Sequence, residues 1–482
     1  MEVFKMAEFN KELEYTRKNS WQYMDETVKK DVFALCEDYK AFLDNSKTER
    51  EAVDSAVTLL RGKGFRTLEE VRDAKIPAAE LPGTKLYYVH HNRCIFIAVL
   101  GKLAPENGFS LVGAHVGCPR LDLKPWPLAE KHEILYFKTH YYGGIKAYQW
   151  PTIPLALHGV VIKENGEKVT VRIGENDDEP KFMISDLLPH MGRDQMSKPA
   201  GSFIDPENLC VIIGSVPGVK NEEDPEDKPF TVKQSILTLL CEKYGISEKD
   251  FHSAELVITP ASKALDIGFD RGMIAAYGHD DRVCAYTELR ALADLDKVPE
   301  HTAVAYFADK EEIGSVGNTG ARSNSLEIFA TEVAALYGGN DITLTTRRCL
   351  AASKMLSADV TAAYDPSYPE VYDESNAAFM GGGLALEKYT GSGGKFGTSD
   401  CPAEFVREVT DVFDRNGVAW QLNEMGKITA GGGGTIAQYM ADKGIEVIDC
   451  GVPLFSMHAP LELASKADIY WAYKGYLAFL DR

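Results

Sequence analysis

Two spacings of apolar residues alternate along this chain. In DVFALCEDYKAFLDNS (residues 31–46) and REAVDSAVTLLRGKGF (50–65) they recur three and four positions apart, which predicts helices over most of the first 75 residues. From Lys85 the texture shortens. KLYYVHH, CIFIAVLG and FSLVGAH are compact apolar runs, predicted to be strands feeding a central sheet. Between residues 121 and 250 it changes again: ILYFKTHYYGG, PLALHGVVIKENGEKVTVRIG and NLCVIIGSVPG are short β-rich runs separated by Gly, Pro and Asn-Gly. ENG is a hairpin signal, and the acidic VKNEEDPEDKP reads as a solvated loop. A helix is expected in TVKQSILTLLCEKYG and an apolar segment in AELVITP. The α/β texture then resumes, with helices in DRVCAYTELRALADL and KADIYWAYKGYLAFLDR and buried strands in HTAVAYFA and GIEVIDCG. The expected architecture is a catalytic α/β domain formed by residues 1–120 and 251–482, interrupted by a β-rich insert at 121–250.

Composition narrows the class. With 482 residues, 45% hydrophobic and 26% charged, the chain has material for more than one core. A formal charge of −20 argues against nucleic acid as a partner. No run approaches the roughly 18 apolar residues of a membrane span, and the charged N-terminus lacks a signal-peptide core, so a cytoplasmic protein is expected. The nine cysteines are scattered singly, without a CxxC pair. That fits reduced thiols and leaves His, Asp and Glu to hold any metal.

Five potential ligands share one context. His115 follows FSLVGA, Asp280 sits in AAYGHDDRV just before a helix, Glu312 closes AVAYFADKEEIGS, Asp359 follows MLSA, and His458 lies beyond VIDCGVPLFSM. Each falls at or soon after the end of an apolar run, and open α/β sheets place their ligand crevice at the carboxyl ends of strands. Two histidines and three carboxylates suit divalent zinc, cobalt or manganese. Singly, each has a plainer explanation; HDDRV, for one, is also a good helix N-cap.

The order of GAHxxxPRLDLKP, DKEEIGS, SAD and GVPLFSMH along nearly the whole chain resembles the M18 metallo-aminopeptidases, relatives of aspartyl aminopeptidase and vacuolar aminopeptidase I. PRLDLKP and YYGGIKAYQW resemble the bacterial branch. The resemblance implies a zinc-peptidase-like α/β catalytic domain, with a central mixed sheet flanked by helices. It implies an inserted dimerisation domain, and a homo-oligomer of the kind that forms a tetrahedral dodecamer. It also implies two divalent metal ions, with Asp280 shared, His115 and Asp359 completing one, and Glu312 and His458 the other. Glu311 then resembles the general base that activates a metal-bridging water against the N-terminal bond of a peptide. A metal-dependent deacylase or amidase is the rival enzyme, and a peptide-binding or scaffold assembly that has lost activity the rival without catalysis.

One position departs from the family pattern. Relatives carry His-x-Asp, where the aspartate accepts a hydrogen bond from the outer ring nitrogen; here the residue is Gly117. Losing such a partner typically costs about 10–100-fold in metal affinity or activity. Three readings follow: a water, backbone carbonyl or other acid substitutes; the site is degenerate; or Cys118 contributes. Gly117→Asp is expected to raise metal affinity unless something else already does the work. Elsewhere, KITAGGGGTIAQ (427–438) is expected near the active site, while GGG at 381–383 and GSGG at 391–394 read as loops. Cys118 and Cys284 are expected to be buried, unreactive thiols. Lys146, Tyr148 and Gln149 stand where aspartyl aminopeptidases use a histidine in a neighbouring subunit's site, and Lys146 reads as solvated. His90, His91, His132, His140 and His158 are read as structural.

Overall fold

A nine-stranded mixed sheet organises the computed structural model, which describes residues 13–218 and 229–482. The acidic loop expected at 219–229 lies, but for its last residue, outside the described residues. From edge to edge the strands are Arg66–Thr67, Lys85–His90, Cys94–Val99, Thr302–Ala308, Phe109–His115, Lys354–Ser357, Glu446–Gly451, Leu384–Glu387 and Trp420–Leu422. The four strands from Thr302–Ala308 to Glu446–Gly451 are mutually parallel, while Cys94–Val99 and Leu384–Glu387 flank them antiparallel. The sheet is therefore mixed, with a parallel centre whose carboxyl ends all point the same way.

The runs looked continuous because both faces are covered. In Phe109–His115, Val112 and Ala114 pack into the core that includes Val283, Leu289, Ile469 and Phe479. Leu111, on the alternate face, joins Phe329, Val333 and Leu350. The helices Glu26–Asn45, His279–Ala293 and Lys466–Leu480 contribute to the first core, and Ser325–Tyr337 and Ile342–Ala352 to the second. Helix starts follow their capping residues. Asp25 accepts from the Thr27 and Val28 amides, and Thr48 and Glu51 form a capping box at the start of Glu49–Gly62. No described helix is long and apolar enough to cross a membrane.

A six-stranded antiparallel sheet has its own core around Trp150, Leu157, Val171 and Ile258. Its order is Lys168–Ile173, Leu155–Ile162, Ala254–Pro260, Arg120–Lys131, Ile134–Tyr142 and Val211–Gly214. The ENG turn joins the first two of these, with Gly166 at φ +83°. Arg120–Lys131 carried no strand signal because Pro125 and Pro127 interrupt it; its pairing slips between Leu123 and Leu128, a bulge that tolerates them. Ala254–Pro260 brings the chain back beside it. A five-stranded sheet, Leu265–Ile267, Met273–Ala276, Glu462–Ser465, Pro453–Phe455 and Thr361–Ala362, ties the approach to Asp280 to the segments around Asp359 and His458.

One glycine shows how tightly these parts meet. A Cβ at Gly451 would stand 1.6 Å from the Asp359 carbonyl oxygen. Gly451→Ala is expected to push the Asp359 segment away, destabilising the fold by at least the roughly 1–3 kcal/mol of an overpacked core. Thermal unfolding and metal content of the purified variant check this; an unchanged melting temperature would refute it.

Candidate metal centre

The carboxyl ends of the four parallel strands converge on one pocket. His115 is the last residue of its strand, Glu311 and Glu312 follow Thr302–Ala308 by a short turn, Asp359 follows Lys354–Ser357, and His458 lies beyond Glu446–Gly451. Asp280 arrives from the five-stranded sheet, at the start of His279–Ala293. All six residues predicted from the sequence are thus brought together.

Asp280 stands between the two imidazoles. Its Oδ1 is 3.0 Å from His115 Nε2 and its Oδ2 is 3.0 Å from His458 Nε2. Asp359 Oδ1 lies 3.8 Å from the same His115 nitrogen, and Glu312 Oε2 lies 3.4 Å from that of His458. Both rings are held from behind by main chain. His115 Nδ1 is 3.0 Å from the Gly117 carbonyl and His458 Nδ1 is 2.8 Å from the Gly144 carbonyl. A carbonyl only accepts, so both Nδ1 atoms donate, and each Nε2 is left facing the acids. The partner of His115 is therefore the backbone of Gly117 itself, the residue that cannot supply a side chain.

This arrangement suits cations. The Nε2 atoms of two imidazoles and the surrounding carboxylate oxygens face one another across a buried space. Asp280 Oδ1, Glu312 Oε1 and both Asp281 oxygens are buried without a hydrogen-bond donor. Ligating atoms of His115, Asp280 and Glu312 lie within 4.8 Å of one another, as do those of His115, Asp281 and Asp359. The side chains register the excess of negative charge. Burial, with Asp280's charge added, pushes Glu312 up to about 8. Burial acts to lower His458, but the Asp280 carboxylate overrides it and holds the ring at about 10. Burial also raises Glu311, which feels His115, Asp280 and His458. Nitrogen and oxygen donors of this kind match zinc, and also cobalt or manganese.

The family model described as "Aminopeptidase I zinc metalloprotease (M18)" matches residues 42–480. The chain belongs to the M18 family. It is 44% identical over 464 residues to the probable M18 family aminopeptidase 1 of Clostridium acetobutylicum, across 96% of this chain and 98% of that one. The crystal structure of an M18 family aminopeptidase from Thermotoga maritima has a TM-score of 0.90 at 39% identity, covering 97% of this chain and 100% of the other. The S. cerevisiae mApe1, solved as a dodecamer, shares the fold at 20% identity and a TM-score of 0.73, across 92% of this chain and 95% of that one. This M18 protein is accordingly a zinc-type metallopeptidase, a hydrolase with aminopeptidase activity.

Sequence reasoning did not single out three residues of this M18 centre. Asp281 joins His115 and Asp359; its only signal was its place beside Asp280 in HDDRV. Glu462, on Glu462–Ser465, is fully buried and clamps the backbones of two candidate ligands at once. Its Oε2 accepts from the Asp280 amide at 3.0 Å and its Oε1 from the His458 amide at 2.6 Å. His279 is locked neutral, burial lowering it to about 4: its Nε2 donates to the Ile274 carbonyl, and its Nδ1 accepts from the Tyr39 hydroxyl. Cys118 is buried, and burial pushes its thiol up to about 12, so it is a protonated thiol and joins no metal-ligating group among the described residues. Cys284 is likewise buried. Lys146 and Tyr148 are exposed, and the glycines before them, Gly143 and Gly144, lie against Glu312 and His458. His158 sits between Glu51 and Glu175 at 2.8 and 3.0 Å, a pair of acids not anticipated for it.

Two substitutions test the supports. Glutamine at 462 offers one acceptor for two buried amides, so Glu462→Gln is expected to weaken metal retention by about 10–100-fold; chelator competition measures it. A Cβ at 117 would meet Tyr142 Oη at 3.2 Å and the buried Asp309 Oδ1 at 3.5 Å. Gly117→Asp thus adds a carboxylate beside another one, where the ring already has its acceptor. It is expected not to tighten zinc binding, and a gain in the same competition would refute this.

Proposed function

We propose that His115, Asp280, Glu312, Asp359 and His458 hold two divalent ions, most simply zinc, and that Glu311 is the general base that removes N-terminal residues from peptides. Asp280 would serve both ions, His115 and Asp359 would complete one, and Glu312 and His458 the other, with Asp281 beside the first. The observation that carries this reading is Asp280, one oxygen 3.0 Å from each imidazole Nε2. Ions bound there would polarise the scissile carbonyl and acidify a water near neutral pH. The Glu311 carboxylate takes the proton from the attacking water and returns it to the leaving amine nitrogen. Burial raises Glu311, which favours a group that must both accept and release a proton. Glu312 is adjacent but turned toward His458, so the two acids divide the labour.

The segment 121–250 acts in this proposal as a dimerisation domain, and the protein works as a homo-oligomer, with a tetrahedral dodecamer as the expected assembly. Leu187, Leu188, Met191 and Met196 stand exposed in that segment, apolar surface that a second copy would cover. The nine free cysteines fit a reducing, cytoplasmic setting.

Glu311→Gln is expected to lower kcat by about 10²–10⁴-fold, the usual worth of a general base, while metal content by elemental analysis stays at the wild-type level. Retained turnover would remove Glu311 from its role. Chelation is expected to abolish activity, and added zinc, cobalt or manganese to restore it. Free-amine peptides should be cut and their N-acetylated counterparts left intact; cleavage of the blocked peptides would point instead to a deacylase or amidase.

A further inference from the structure

A second buried carboxylate lies in the same sheet, close to the metal centre. Glu387 ends the strand Leu384–Glu387 and pairs with Asp449, which pairs in turn with Ser357. Residues paired directly across strands share a face, so these side chains form one row. The row adjoins the catalytic pocket. Asp449 feels the charge of Glu311, and the hydroxyl of Thr361, two residues beyond Asp359, donates to Glu387.

Glu387 is 4% exposed and lines a cavity of about 190 Å³. That is smaller than the ~300–1,000 Å³ of drug-sized ligand sites and suits a single side chain. Six of the residues that line the cavity are glycines. Gly391–Ser392 pairs with Gly432–Gly433, and Gly391 and Gly432 have φ of +85° and +115°. A Cβ on Gly432 would stand 2.2 Å from the Gly391 carbonyl oxygen, so glycine is needed for the two segments to meet. The glycines thus let the two segments pair along one side of the cavity.

The lining sets two carboxylates, Glu387 and Glu424, beside two lysines, and neither lysine pairs with Glu387. Glu387 Oε1 receives both of its hydrogen bonds, from Thr361 and from Asn423 Nδ2 at 2.6 Å, and no cationic side chain among the described residues pairs with Glu387. Asp449 Oδ2, Ser357 Oγ and Asn423 Oδ1 are buried beside it without partners. Glu424 also lines the cavity. Two lysines reach the lining but are engaged elsewhere: Lys395 with Asp400 at 3.1 Å and over the Tyr389 ring, Lys427 with the Glu370 carbonyl at 2.7 Å. A buried carboxylate with no cation is costly as an anion. Burial accordingly holds Glu387 up at about 7, where an arriving ammonium would ionise it.

We propose that this cavity receives the side chain of the substrate's N-terminal residue and that Glu387 selects lysine or arginine there. The inference rests on the aminopeptidase reading of the adjacent centre.

The test uses the full-length, zinc-loaded enzyme with lysyl, arginyl and norleucyl anilides; norleucine resembles lysine in shape but lacks its charge. The expected kcat/KM is at least 10-fold higher for lysyl and arginyl than for norleucyl substrates. Glu387→Gln, which keeps an acceptor for Thr361 and Asn423, is expected to bring that ratio down by 10-fold or more. Calorimetry with lysinamide and norleucinamide on the zinc-loaded Glu311→Gln protein reads the cavity without turnover, and lysinamide is expected to bind at least 10-fold tighter. A ratio near one in the wild type, or a lysine preference that survives Glu387→Gln, overturns the proposal. If peptides are cut but the two amides bind alike, the cavity assignment fails alone. If no free-amine substrate is cut while lysinamide still binds tighter through Glu387, the peptidase reading fails and the cationic pocket stands.

Discussion

Asp280 is a buried carboxylate with an imidazole nitrogen at each oxygen, and much of the surrounding structure exists to hold it there. Acidic groups do not gather away from water unless positive charge is supplied and their positions are enforced. The enforcement is visible on every side of Asp280. Glu462 accepts from its amide and from that of His458, His279 before it is locked by Tyr39 and the Ile274 carbonyl, and the helix after it is buried along its length. A carboxylate serving two amides sets the spacing of Asp280 and His458 with one side chain. The position of His458 relative to Asp280 is thereby built into the backbone.

The sheet delivers the remaining residues of the candidate centre. Parallel strands end together, so four segments far apart in the chain release their polar residues at one edge. Gly451 lets the Asp359 segment pass closely enough for that edge to close. The two histidines are then aimed by carbonyls from different parts of the molecule, Gly117 just beyond the first histidine's own strand and Gly144 in the loop after Ile134–Tyr142. The β-rich segment thus reaches the metal centre through its backbone, and a change in how its sheet packs would be felt at His458.

Much of the scaffold was legible in the chain. The apolar runs ending at His115 and Ala308, and the helical spacing of residues 31–46 and 466–482, correspond to elements within a few residues. Sequence reading faltered where a local rule is overridden by pairing. Pro125 and Pro127 conceal a strand that survives through a bulge, and Gly391–Ser392, read as a loop, forms a short ladder with the glycines at 432–433. Asp281 and Glu462 went unremarked for another reason. An acid that ligates or clamps looks no different in a sequence from one that is solvated, and only its burial separates them.

The sequence by itself determined the α/β framework, the family, and which residue types could bind metal. Periodicity, and the order of short motifs, are properties a chain carries before it folds. Tertiary structure alone decided which atoms meet: that a glycine carbonyl aims His115, that Glu462 ties Asp280 to His458, and that Glu387 faces a cavity next to Glu311's neighbour Asp449. Hydrogen-bond partners and burial depend on segments hundreds of residues apart, and no local pattern encodes that geometry.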